Sequence, residues 1–538
     1  MSDAAQASEL DTTRLSTRRP SSRLRHPLLW MLLGYLGLGL TLLPAFQFQI
    51  NPDGIAYLDI AEKYARGDLG GAINAYWGPL LSWLTAALRV VGLPPQIAVK
   101  LALLGSGAAA LAGLWALTRG YPVWTRIVAV AAAVPMTLRF ALSVITPDLV
   151  VAAALAWYLS FLVSRTSPPS WRRGLGCGAL GALAYMAKAF ALPFFLAHWA
   201  LWGFLQWRRR RVSAASFVAG LASFCALSGL WIVALRWKYG VWMTGSAGRY
   251  NQAWAGPRMA FAHPMEKGFW APFEPGDTSA WTDPTRLPIQ PWSVFESPDF
   301  AWYQLVMTLE RLRVIACDFL PELFPLALPL LLVALVVAWR QAETETGRRC
   351  RAALSAIAIY LAGYALIYVE ARHLWTLAYL FCAMVVWLFA GWIARGPRAA
   401  WSAALALCAI ALAWQPAQAL RVAAQGKDEG LETCRGLYRA AQAMRKQLGV
   451  RGRLASSAEW HYSLYLTYFL GGRYYGVAPA AAPDAIARAL DAHQIDYYLA
   501  WSDELGEFPS VVWGTEITGG GDPRLRIYQA TSGSTASH

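Results

Sequence analysis

The sequence predicts a mainly α-helical, polytopic membrane protein with a small α/β domain at its C-terminal end. Three observations carry this reading. Of 538 residues, 57% are hydrophobic and only 15% charged, whereas soluble domains carry near a quarter charged residues. Many apolar runs reach the roughly 20 residues with which a helix crosses a bilayer. Most of the Lys and Arg excess behind the net charge of +15 falls in short segments between those runs. That is the positive-inside signature of a membrane topology rather than a nucleic-acid footprint, and no nucleic-acid partner is expected.

Residues 1–27 form a basic tail carrying Arg14, Arg18, Arg19, Arg23 and Arg25, followed by a first span at about 28–48. The N-terminus is therefore expected in the cytoplasm. The run lacks a clean small-x-small cleavage site and reads as an uncleaved span. An external segment, 49–95, follows: "INPDGIAYLDIAEKYARGDLGGAINAYWGPLLSWL". Asn51 suits an N-cap, Pro52 the first helical position and Asp53 the first turn. A helix over about 52–66 then carries Tyr57, Leu58, Ala61, Tyr64 and Ala65 on one stripe, and Gly67 ends it. "PLLSWLTAALRVV" reads as a second interfacial helix with Trp83 and Arg89 at its polar margin.

Spans at about 96–117, 127–145 and 149–164 place Arg119, Arg126, Arg165, Arg172 and Arg173 on the cytoplasmic side. The next apolar run, 175–207, is 33 residues long. As one helix it would measure about 50 Å, against a hydrocarbon core of about 30 Å, and it would put Arg208, Arg209, Arg210 and Arg211 outside. Two short spans with a turn near Lys188 resolve both conflicts and leave Lys188 at the outer face. A span at about 213–236 leads to a second external segment, 238–320. It contains "AHPMEKGFWAPFEPGDTSAW", which reads as an interfacial or substrate-covering loop with His263 in it, and an amphipathic surface helix over 301–316.

Spans at about 321–339, 353–369, 374–393 and 399–415 complete about eleven, with Arg340, Arg348, Arg349, Arg351, Arg395 and Arg398 inside. The membrane domain is thus 28–415. Residues 416–538 change character. "DEGLETCRGLYRAAQAMRKQLGV" reads as an amphipathic helix, and "GRLASSAE", "IDYYLAWSD" and "LRIYQAT" as strands of an extracytoplasmic α/β domain. The Ser- and Gly-containing tail after Thr531 reads as disordered. The seven cysteines form no CxxC pair, zinc pattern or disulfide framework.

Charge alone places Asp53, Asp148, Lys188, Glu370 and Arg372 on the outer face, and ionisable residues at membrane margins are functional candidates. Each also has an ordinary use. Asp53 complements a helix dipole, Asp148 caps the following span, Lys188 snorkels to the interface, and Arg372 pairs with Glu370 or Asp148.

Four segments add a resemblance that spans nearly the whole chain. Asp53 and Tyr57 match a D-x-x-x-Y spacing, followed by "YWGPLLSWL". "TPDLV" contains Asp148, "ALAYMAKAFALP" contains Lys188, and "VEARHLWTL" contains Glu370, Arg372 and His373. In this order they resemble the external-loop motifs of the GT-C membrane glycosyltransferases, such as the lipid A aminoarabinose transferases and protein O-mannosyltransferases. Two positions depart from that pattern. Gly54 stands where an acid commonly follows the first Asp, and His373 where Tyr is common. The resemblance implies an inverting glycosyltransferase (EC 2.4 class) that moves one sugar from a polyprenyl-phosphate donor to an acceptor hydroxyl. It would act at the periplasmic face of a bacterial inner membrane. Asp53 is then the catalytic base, and Arg372 and Lys188 bind the donor phosphate; Arg139, toward the outer end of the span at 127–145, is a further candidate for that phosphate by its position. Tyr57, Asp148, Glu370, His373 and His263 support the site or the substrate. The implied partners are the lipid-linked donor, membrane lipids and a lipid, glycan or protein acceptor. No cofactor is expected; a divalent metal is compatible with the site but not required. The alternatives are a lipid-linked sugar flippase, which would put charges near the bilayer midplane, and a non-catalytic envelope assembly protein, indifferent to Asp53.

Overall fold

The structure is a computed structural model that describes residues 26–163, 170–208, 213–393, 396–518 and 524–531. The N-terminal basic tail up to residue 25, the arginines at 165, 209–211 and 395, and the tail from 532 lie outside the described residues.

Eleven helices occupy the places of the expected spans. Helix α1 is His26–Phe46, α2 Pro52–Ala65, α3 Pro79–Val90, α4 Pro95–Leu117, α5 Val123–Ser143 and α6 Asp148–Val163. Next come α7 Trp171–Ala187, α8 Ala191–Arg208, α9 Ala214–Tyr239, α10 Pro298–Val314 and α11 Ala327–Arg340. Then follow α12 Glu345–Ile367, α13 Trp375–Ile393, α14 Arg398–Ala424, α15 Glu429–Gln447, α16 Trp460–Leu470 and α17 Pro483–Ala492. Helices α2, α3, α10 and α15–α17 are not counted among the spans. By length and apolarity, seven described helices suffice to cross a membrane, or eight if the bent pair Pro298–Leu323 with Ala327–Arg340 is one span. The remaining expected spans are the short apolar helix α6 and the pair α7 and α8, of 17 and 18 residues.

The long run 175–207 does break, and at Lys188, which is extended between α7 and α8. α7 packs closely on α9 because Gly174 and Gly178 face it. A Cβ at either position would lie 2.1 Å from a backbone carbonyl, of Ser216 or Gly220, the small-residue contact that membrane helices use where no hydrophobic force separates them from lipid. α13 is the most buried of the long apolar helices, with 83% of its apolar stretch inside the protein. The turn Ala371–Leu374 that opens it carries Arg372.

Three boundaries differ from expectation. The amphipathic segment near 301–316 is longer: α10 continues through a π-turn, Ile315–Phe319, to Leu323 before the chain bends by 101° into α11. The expected span 321–339 accordingly starts at Ala327 and holds 14 residues. The expected end of the last span at 415 falls inside α14, which runs through Pro416 to Ala424. Gln415, Pro416 and Gln418 read as an exit from the membrane, but strong helix formers continue up to Gly426, whose φ of +66° stops the helix.

The C-terminal part holds a five-stranded sheet: β1 (Arg453–Ser456), β2 (Arg473–Val477), β3 (Tyr497–Trp501), β4 (Thr515–Glu516) and β5 (Leu525–Gln529). Their order is β2-β1-β3-β5-β4, with β1 parallel to β2 and β3, and β5 antiparallel to β3 and β4. β3 is central and buried throughout. The loop after α9 lies along the β2 edge. The Gly268 and Trp270 amides donate to the carbonyls of Val477 and Tyr475 at 3.0 and 2.7 Å, and the Tyr474 amide donates to Thr278 at 2.6 Å. Phe48, just past α1, stacks on Tyr438 of α15 at 4.0 Å. The sheet, the loop and the first span are therefore packed together.

Candidate active site

Helix α2 presents Asp53, and its start is fixed in an unexpected way. Asn51 occupies the N-cap position, but its side chain makes no cap bond. Its amide instead clasps Ile145 in the segment between α5 and α6: Oδ1 accepts from the Ile145 amide at 3.0 Å, and Nδ2 donates to the Ile145 carbonyl at 3.3 Å. The clasp requires close approach. A Cβ on Gly54 would lie 2.7 Å from Asn51 Oδ1 and 2.8 Å from Ile145 Cβ. The glycine in place of the commoner acid therefore has a local cause: this chain has no room for a side chain there.

The apolar stripe on α2 was visible in the sequence, yet the helix is buried well beyond that stripe. Asp59 and Lys63 are both buried and hold the external loop. Asp59 accepts from the Thr278 amide at 2.7 Å and from the Thr278 and Thr282 hydroxyls at 2.9 Å. Lys63 Nζ lies 2.5 Å from Asp277. Asn74 donates to the Thr282 carbonyl at 2.7 Å. Burial pushes the Asp59 carboxyl up to about 7, against the effect of its donors.

Around Asp53 the ionisable residues form two linked groups. Arg372 Nη2 donates to Asp53 Oδ2 at 2.8 Å and contacts Glu370 Oε1 at 3.2 Å. Arg372 Nε lies 2.7 Å from Glu370 Oε2 as an ion-pair contact, without the alignment of a hydrogen bond. Trp281 Nε1 donates to Asp53 Oδ1 at 3.2 Å. In the second group, Lys188 pairs with Asp148 at 2.7 Å, and the Thr146 hydroxyl donates to the same carboxylate at 2.5 Å. Lys188 also sits 5.6 Å from the Tyr364 ring centre. His373 accepts from the Glu370 amide through Nδ1 at 3.1 Å and stacks on Tyr364 at 4.6 Å, so the imidazole shapes the turn that holds Arg372. Arg139 faces Glu322 at 3.8 Å.

These residues share one cavity of about 970 Å³. Asp53, Tyr57, Arg139, Lys188, His263, Glu370, Arg372 and His373 all line it, while Asp148 stands behind Lys188. The lining is also rich in aromatic side chains, among them Tyr76, Trp254, Phe261, Trp281, Trp460 and His461, most of which come from the loop after α9 and from α16. His263 stacks on Trp460 at 4.2 Å and touches Trp281 at 4.4 Å; burial holds its ring down near 4, so it is neutral at physiological pH. Tyr57 packs edge-on to Trp77 at 5.2 Å. Among the described residues, no group of three or more His, Cys, Asp or Glu is placed to hold a metal.

Sequence reasoning missed Trp281 and Glu322. Trp281 lies in a stretch without periodicity, and its only signal was the aromatic density of the loop. Glu322 was hidden at the edge of an expected span.

Fold and site together define a polytopic membrane protein with a charged, aromatic-walled cavity to which all four motif segments contribute lining residues. Among solved structures, the chain resembles ArnT from Cupriavidus metallidurans in the apo state, at TM-score 0.51 and 13% identity, over 94% of this chain and 99% of that one. It also resembles the Archaeoglobus fulgidus oligosaccharyltransferase in the apo form, at TM-score 0.52 and 13% identity, over 88% of this chain and 69% of that one. The chain therefore has the GT-C fold that its four sequence segments led one to expect. No protein-family model matches it, and neither does any curated protein.

Proposed function

We propose that this protein is an inverting glycosyltransferase. It would move a single sugar from a polyprenyl-phosphate donor to an acceptor hydroxyl in the cavity around Asp53. The site would face the periplasmic side of a bacterial inner membrane, an orientation supported by the distribution of Lys and Arg. The observation that carries the reading is the meeting of the Asp53 carboxylate with the cations Arg372, Lys188 and Arg139 in a single cavity. Two neighbours in fold, an ArnT and an oligosaccharyltransferase, lend it support.

In the reaction, an acceptor hydroxyl oxygen attacks the anomeric carbon and forms the new glycosidic bond. The carbon–oxygen bond to phosphate breaks, and its electron pair leaves with the polyprenyl phosphate. The hydroxyl proton passes to Asp53. A positioned base of this kind contributes about 10²–10⁴-fold. Negative charge grows on the leaving phosphate, so fixed cations nearby stabilise the transition state more than the ground state. Lys188, steadied by Asp148, and Arg139 are suited to that task. Arg372 has a double use: two of its nitrogens hold Asp53 and Glu370, while the guanidinium adds positive charge to the same wall.

The test is mass analysis of cell-envelope glycans, lipids and glycoproteins with and without the gene. It is paired with an assay of donor consumption by the purified protein. A species lighter by one sugar in its absence, with release of polyprenyl phosphate in vitro, is expected. An unchanged envelope together with no donor consumption would refute the proposal.

A further inference from the structure

We propose that Trp281 is a positioning residue for Asp53, its indole N–H fixing the carboxylate in the orientation from which it takes the acceptor proton. This rests on the reading of Asp53 as the base. A free carboxylate on the first turn of a helix rotates about its terminal torsion, which has a broad preference. Here both oxygens are held, Oδ2 by Arg372 at 2.8 Å and Oδ1 by Trp281 at 3.2 Å. Each oxygen keeps a further lone pair for the reacting proton.

The donor comes from a residue 228 positions away, and the loop that delivers it is pinned on both sides. Before Trp281, Asp277 pairs with Lys63 and Thr278 is held by Asp59. After it, Thr282 is held by Asp59 and Asn74, and Asp283 accepts from the Tyr239 hydroxyl at 2.9 Å. The Trp281 carbonyl accepts from Trp77 Nε1 at 3.3 Å, and the ring is packed among Tyr76, Trp77, Tyr250 and His263. Two buried polar groups of α2, Asp59 and Lys63, are thus committed to a loop whose central residue returns a hydrogen bond to the same helix. That is the architecture of a preorganised site, in which supporting contacts lock the rotamer of a reacting group.

The experiment compares Trp281→Phe, Asp53→Asn, the double variant and the parent in the donor-dependent transfer assay. Trp281→Phe keeps a ring in the pocket and removes the N–H. The expected result is a kcat lower by about ten- to a hundredfold, the scale of a misplaced reacting group, with both KM values and thermal stability within twofold and a few degrees of the parent. Adding Trp281→Phe to Asp53→Asn should cost nothing further, because the two act through one step. Trp270→Phe is the control: it lies in the same loop, and its indole N–H has no hydrogen-bond partner among the described residues. It should leave kcat unchanged. Where Trp281→Phe proves too unstable to purify, benzothienylalanine at position 281, which replaces N–H by sulfur at constant shape, carries the same comparison. An unchanged kcat, or an equal loss in the Asp53→Asn background, would overturn the proposal while leaving the base assignment standing. Full turnover in Asp53→Asn would remove the base assignment and this proposal together.

Discussion

The pair Lys63–Asp277 is expected to be the pin that holds the external loop on α2. Its nitrogen and oxygen are 2.5 Å apart, with side-chain exposures of 7% and 0%. Removing one partner leaves the other charge buried and unpaired, which typically costs about 3–5 kcal/mol. At about 1.4 kcal/mol per factor of ten, Lys63→Met or Asp277→Asn should therefore raise the open population of the loop roughly a hundredfold to a few thousandfold. Hydrogen exchange followed by mass spectrometry reads this directly, since the Thr278 amide is bonded to Asp59 and is freed when the loop lifts. Protection in the 274–286 segment should fall by that factor in each single variant. The double variant Lys63→Met, Asp277→Asn should recover part of the loss, because no unpaired charge then remains. Transfer activity follows the closed fraction, so it should fall only where the open state becomes comparable in population to the closed one. Unchanged protection in both single variants would refute the reasoning. It would mean that the hydroxyl and amide bonds to Asp59 hold the loop without the ion pair.

Further outcomes follow from the same geometry. The Asp59 carboxyl, raised by burial to about 7 from 3.8, carries a proton in the closed loop that it loses when exposed. The contribution of Asp59 to the clamp should hence be greatest below pH about 4 and be lost as pH rises to about 7, by up to tenfold per unit. Exchange protection at the 274–286 segment, corrected for intrinsic rates, should show this slope and lose it in Asp59→Asn. Arg372→Lys should lower turnover although charge is kept, because one ammonium does not reproduce the planar contacts to both Asp53 and Glu370; activity equal to the parent would make the guanidinium dispensable. In a cysteine-free background, Cys at position 505, where Leu505 is 85% exposed, should react with an impermeant reagent added from the periplasmic side, and Cys at the exposed position 343 should not. The reverse pattern would invert the topology.

What could be read from the sequence follows from which forces act locally. The break at Lys188 was legible because a 33-residue apolar run is too long for one crossing and because Arg208 needed the inner side. The approach of Asp53 and Arg372, 319 residues apart, was legible only through topology and the motif resemblance, which put both on one face. The strands β3 and β5 showed themselves by aromatic and β-branched residues, whereas β1, "RLAS", carries neither. β2, "RYYGV", was hidden by the glycine within it, and α16 by an aromatic composition that fits either state. Asp59 and Lys63 lie outside the apolar stripe of α2, yet both are buried. Their burial depends on a loop more than 200 residues later, which no local pattern reports. Asn51 looked like a helix cap for the same reason. Its clasp on Ile145 exists only once the two external segments meet.

The central claim is tested most directly by Asp53→Asn in a transfer assay with a purified polyprenyl-phosphate sugar. Asn matches the size of Asp and still offers one carbonyl oxygen, but it takes up no proton at neutral pH. The account expects turnover to fall by about two orders of magnitude or more, with the protein still folded and monodisperse in detergent. If Asp53 serves only the dipole of α2, the change should cost about 0.3–1 kcal/mol of stability and leave turnover at the parent level. That result would contradict the account.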